Sequence, residues 1–77
     1  MGQYRADVVI HVNETLDEAQ LRDVEQELCA RHGVVSATHS PGRNHLLAVF
    51  FDPQITTSAN LLMSVKARGL HAQRIGL

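Results

Sequence analysis

Val34-Val35-Ser36-Ala37-Thr38-His39, Ser40-Pro41-Gly42-Arg43-Asn44 and His45-Leu46-Leu47-Ala48-Val49-Phe50-Phe51 follow one another at the centre of the chain. The first and third runs are rich in β-branched and large apolar residues, which suit strands. Between them, Pro41 presets the first central residue of a type II turn and Gly42 accepts the positive φ that the second one requires. Two strands joined by so short a connection form an antiparallel hairpin. Asp52-Pro53 ends the second of them.

Outward from the hairpin, each side repeats the same order in mirror image. On the N-terminal side, Ala6 to Val12 reads as a strand, with Val8, Ile10 and Val12 on one face and Val9 and His11 on the other. A helix follows. Thr15-Leu16-Asp17-Glu18 fits a capping box with Thr15 as cap and Glu18 reaching back. Asp17, Leu21, Val24 and Leu28 share one helical face, and Gly33 is placed as its C-cap. On the C-terminal side, Thr56 or Thr57 caps a second helix running to about Arg68, with Ile55, Leu61, Leu62 and Val65 buried and Gly69 closing it. Leu70 to Ile75 is the last strand. The order βαββαβ, with right-handed crossovers, makes an α+β ferredoxin-like fold: a four-stranded antiparallel sheet in the order 4-1-3-2, with both helices on one face.

Composition bounds the rest. The 77 residues make one domain spanning 1–77, and 44% hydrophobic with 19% charged residues is ordinary for a soluble globular chain. A formal net charge of −1 argues against a general nucleic-acid binder, which needs a basic field. One cysteine makes no internal disulfide. The start, Met1-Gly2-Gln3-Tyr4-Arg5-Ala6, carries no apolar signal region, and the longest apolar run, Leu46 to Phe51, is too short to span a bilayer. The expectation is a cytoplasmic protein with no membrane partner. No nucleophile–base pair, phosphate loop or paired acid and base appears, so no enzyme is expected.

Val24-Glu25-Gln26-Glu27-Leu28, His32-Gly33-Val34 and Val49-Phe50-Phe51-Asp52-Pro53, with Leu61, Ser64-Val65, Gly69-Leu70-His71-Ala72 and Ile75, resemble the heavy-metal-associated domain family of copper chaperones and metal-transporting ATPases. The resemblance runs from about Asp7 to Ile75. It implies the same fold and, in the loop entering the first helix, the family's M-x-C-x-x-C metal motif. Counting back from Gly33 sets the two cysteine positions at Asp17 and Gln20 and the methionine at Thr15, none of them a sulfur residue. No cysteine precedes Cys29.

Other candidate ligands are scattered. Cys29 falls about 80–120° around the helix from its buried stripe, the position of a small boundary residue or, in the sharper view, of a thiol ligand. His39 and His45 flank the hairpin loop and approach one another across the ladder, a candidate pair for nickel, copper(II) or zinc. His71 follows the second helix and, with Asp17, makes a candidate hard-metal site. The expected cofactor is none, the alternative being a divalent transition metal ion on these residues.

The helix-free face of the sheet carries the other signal. Val9, His11, Leu46, Ala48 and Phe50 gather there, with Tyr4 near enough in sequence to shield them. A solvated antiparallel face alternates to polar, and an exposed apolar patch marks association. The expected function is a non-catalytic binding or assembly module lacking the thiolate site, joined to a protein partner or a second copy through this face. The alternative is a metallochaperone-like metal carrier using His, Asp or Cys ligands.

Overall fold

The structure is a computed structural model and describes residues 5–75. The strands are β1 (Ala6–Val12), β2 (Val34–Thr38), β3 (Leu46–Phe51) and β4 (Ala72–Ile75), and the helices are α1 (Glu18–Cys29) and α2 (Ser58–Lys66). The sheet order β2-β3-β1-β4, antiparallel throughout, is the expected ferredoxin-like topology.

The period-two pattern predicts the inward face correctly. Val8, Ile10 and Val12 of β1 and Leu47, Val49 and Phe51 of β3 are buried against Leu21, Val24 and Leu28 of α1 and Leu61 and Val65 of α2. Each such side chain contributes roughly 1.5–3 kcal/mol by leaving water. The one buried hydroxyl among the described residues, on Ser64, donates to the Asn60 carbonyl at 3.0 Å one turn earlier. The hairpin turn forms as expected: Arg43 N–H donates to the Ser40 carbonyl at 2.9 Å, and Gly42 has φ +79°. β2 carries one irregularity. Its register against β3 slips between Val34 and Ser36, so Val35 is the extra residue of a bulge and lies exposed.

Several boundaries differ from the expectation. α1 is capped by Asp17, not Thr15: the Asp17 carboxylate accepts from Gln20 N–H at 2.8 Å, and the Gln20 side-chain oxygen accepts from Asp17 N–H at 2.9 Å. Asp17 is therefore an exposed cap and not part of the buried stripe. The reason lies in the residues flanking the cap. Leu16 and Leu21 are both buried, and they occupy the positions of a hydrophobic staple around a cap at 17. A cap at Thr15 breaks that frame. Asp17→Ala is expected to cost about 0.5–2 kcal/mol in urea unfolding and Thr15→Ala close to nothing; the reverse order would restore the earlier helix start.

The helix ends also shift. α1 closes at Ala30, ahead of Gly33, and α2 at Ala67, ahead of Gly69, because each chain makes a further turn of hydrogen bonds before its glycine. α2 begins after Thr57, whose hydroxyl accepts from Asn60 N–H at 3.1 Å. Ile55, expected in the core, is 47% exposed: it precedes α2 in a turn and lies against the Gly33 backbone. Leu62 is only partly buried. His39 and His45 fall just outside β2 and β3, and β4 begins at Ala72, not Leu70. Tyr4 lies outside the described residues.

Candidate functional site

The loop from Asn13 to Asp17 joins β1 to α1 and is tied at several points. Val12 N–H donates to the His45 carbonyl and Asn13 N–H to the His71 carbonyl, both at 2.8 Å. The Asn44 side-chain amide donates to the Leu16 carbonyl at 3.4 Å. Leu16 plugs the core from above and Asp17 then starts the helix. The two positions assigned to the motif's cysteines, Asp17 and Gln20, are thus hydrogen-bonded to each other's backbone. The free N–H groups that make a helix start attractive to anions are partly satisfied by them.

The candidate ligands do not converge as the sequence suggests. His39 and His45 part company. His39 turns to α1, where its Nδ1 lies 2.5 Å from a Glu25 oxygen and its Nε2 3.3 Å from Glu18. The Glu25 hydrogen bond raises the His39 pKa above its ordinary value, partial burial opposes the rise, and Glu18 adds to it. His45 turns to β1 and donates from Nδ1 to the Val12 carbonyl at 2.7 Å. A carboxylate pair and a strand carbonyl offer each ring a stronger partner than the other imidazole does.

His71 does reach the loop before α1, but its partner is Glu14, not Asp17. Its Nδ1 donates to a Glu14 oxygen at 2.7 Å, and its backbone N–H reaches both Glu14 oxygens at 2.9 and 3.1 Å. These bonds lower the Glu14 pKa, the side-chain bond first and the backbone bond next, against a smaller desolvation. Asp17 is already committed to its cap. Cys29, the last residue of α1, is exposed rather than at the core boundary, one residue past buried Leu28 and so about 100° around the helix from it. Among the described residues no three His, Cys, Asp or Glu side chains are arranged to hold a metal ion.

The five sheet-face residues, by contrast, do share one surface. Val9 pairs with Ala48, His11 with Leu46 and Asp7 with Phe50, and directly opposed residues point the same way. Phe50 is 40% exposed. The next strand adds Ile75, opposite Val9 and also 40% exposed, which the weak signal of β4 hid. Asp7 is a second residue missed: alternation places it beside Phe50, so the patch has a charged rim. A hollow of about 190 Å³ opens on this side, lined by Val9, Thr38, His39, Arg43, Leu46 and Ala48. A wider open groove of about 750 Å³ lies at the other side, beside the end of α1 and along α2, bordered by Glu27, Arg31, His32, Asn60 and Met63. Its charged border is spoken for, since Glu27 pairs with both Arg31 and Arg68.

No family model and no curated protein matches the chain. Solved structures do. A copper binding domain from HMA7, a P-type ATPase, aligns over 91% of this chain and 93% of its own with a TM-score of 0.80 at 21% identity. Oxidized MerP from Ralstonia metallidurans CH34 aligns over 94% of this chain and 99% of its own, with a TM-score of 0.81 at 17% identity. A putative copper-ion-binding protein from Bacillus anthracis str. Ames covers 94% and 100%, with a TM-score of 0.80 at 12% identity. At such identities the likeness is one of fold, and no helix among the described residues is long and apolar enough to cross a membrane. The chain has the fold that its sequence resemblance implies, that of the heavy-metal-associated domains.

Proposed function

We propose that this domain is a non-catalytic binding and assembly module on the heavy-metal-associated fold, without the thiolate metal site, and that it associates with a second copy through its open sheet face. The observation that carries the first half is the start of α1. Copper(I) prefers soft thiolates, whose charge a helix N-terminus helps to hold. Here the matching positions hold a carboxylate and an amide, both engaged in the reciprocal cap, with Leu16 and Leu21 stapled beneath. This donor set does not fit copper(I), although the HMA7 domain of the same fold is a copper binding domain. The exposed single thiol of Cys29 suits a reducing compartment, and the cytoplasm is the one we assign.

The second half is supported by the patch of Val9, Leu46, Ala48, Phe50 and Ile75 on a face without helix cover. A net charge of only −1 leaves little repulsion between copies, which favours a second copy as the occupant. Light scattering across a concentration series is expected to show a monomer–dimer equilibrium, and Phe50→Asp to shift it to monomer. A wild-type monomer at the highest concentration sinks self-association and leaves a different protein partner as the occupant to seek.

A further inference from the structure

Given the self-association proposed above, on which this inference rests, we infer that the two copies meet with their strands reversed about a two-fold axis. Phe50 of each copy sits in the hollow of the other, and Asp7 of each pairs with Arg43 of the other. The two ends of the face are unlike. At one end Phe50, 40% exposed, stands beside Asp7, its register partner on β1. At the hairpin end lies the hollow of about 190 Å³, lined by Val9, Thr38, Leu46, Ala48 and Arg43 among others, but not by Phe50. A cavity of about 150 Å³ is enough to take benzene, so a phenyl ring fits the hollow. His11, opposite Leu46, is held at this same end by stacking on His45, with ring centroids 5.8 Å apart.

An interface between two identical faces must be complementary to itself. A two-fold axis lying in the interface and running across the strands, near the Val9–Ala48 pair, sets the Phe50 end of each sheet over the hairpin end of the other. Each ring then meets a hollow and each carboxylate a guanidinium, both twice. An axis along the strands brings like ends together, so that the two Asp7 carboxylates approach and both hollows stay without a ring. Among the described residues neither Asp7 nor Arg43 has an ion-pair partner, whereas Arg31 and Arg68 are paired with Glu27. Ala48, the smallest side chain of the patch, lies near the axis and lets the sheets close to the spacing of about 10 Å that packed sheets adopt. Ile75, opposite Val9 on β4, is covered in the same contact.

The two kinds of contact do different work. Burying the ring supplies affinity, and the charge pairs at the rim select the orientation. The face is roughly 20 Å on a side, which puts the interface at the small end of specific ones.

The test is charge reversal, read by light scattering at high protein concentration and low salt. Asp7 and Arg43 are both exposed, so the fold tolerates the changes, and circular dichroism checks it. Asp7→Arg and Arg43→Asp are each expected to weaken dimerisation about fivefold or more. The double variant Asp7→Arg with Arg43→Asp keeps the wild-type net charge of −1 and is expected to restore the dimer to within about twofold. In a half-labelled sample, NMR is expected to show contacts between copies from the Phe50 ring to the Leu46 methyls. Single reversals without effect, a double variant no stronger than the singles, or Phe50-to-Phe50 contacts between copies overturn this arrangement while self-association stands. A monomeric wild type overturns both.

Discussion

Gly33→Ala is expected to destabilise the domain by roughly 2–4 kcal/mol, and Gly42→Ala by only about 1–2 kcal/mol. Both glycines have positive φ, +95° and +79°, so an added Cβ strains either backbone. They differ in what the Cβ meets. At Gly42 nothing lies within 4 Å. At Gly33 the new atom sits 2.7 Å from Ile55 Cγ2, 2.9 Å from Ile55 Cβ and 3.1 Å from Thr56 Cγ2. The Ile55 Cβ cannot swing aside without its backbone moving. That backbone is held, because Ile55 and Thr56 N–H donate to the Asp52 carbonyl, and Asp52 N–H in turn donates to the Gly33 carbonyl at 2.7 Å. For a chain of this size total stability is on the order of 4–12 kcal/mol, so Gly33→Ala removes a large part of it. Urea unfolding followed by circular dichroism measures both. Equal costs at the two positions would mean that Ile55 yields freely and that only the backbone term remains.

The second large effect is a gain. Asp17→Cys with Gln20→Cys is expected to convert a chain that leaves copper(I) with a competing chelator into one that retains it stoichiometrically. The side chains at 17 and 20 already face one another around the first turn of α1, each reaching the other's backbone N–H at 2.8–2.9 Å. Two thiols placed there share the positive end of the helix, which lowers their pKa and favours the thiolates that copper(I) needs. Losing the cap costs about 0.5–2 kcal/mol, which the Leu16 and Leu21 burial can absorb. A folded double variant that releases copper(I) as readily as the wild type would show that the register linking Asp17 and Gln20 to the motif is wrong. Tight copper(I) binding by the wild type itself would contradict the loss of the thiolate site more directly.

The fold was legible because its signals are local and repeated. Alternation in Val8, Ile10 and Val12, the three-four spacing of Leu21, Val24 and Leu28 on α1, and Pro41-Gly42 each point to one element, and their order leaves one topology. The start of α1 was harder, since Thr15 and Asp17 both begin a plausible box. Leu16 and Leu21 decide between them, a signal present in the sequence but visible only when the residues on either side of the cap are weighed. The hydrophobicity of Ile55 points to the core, whereas it serves as the lid over Gly33. The histidines were the least legible. Sequence proximity suggested His39 with His45 across the hairpin, yet side-chain direction is set by which long-range acceptor each ring finds, Glu25 for one and Val12 for the other. The pairing of His11 with His45 follows only once β1 and β3 are in register.

The contact of His39 with two carboxylates of α1 has a consequence for the molecule as a colloid. The formal charge of −1 treats every histidine as neutral. Glu25 and Glu18 favour a proton on His39 to a higher pH than a free imidazole would hold it, and such a proton offsets one unit of the chain's negative charge. Copies of a molecule repel one another least where their net charge is small. A histidine wedged against a helix thus sets the electrostatic ground on which an uncovered sheet face meets its neighbour.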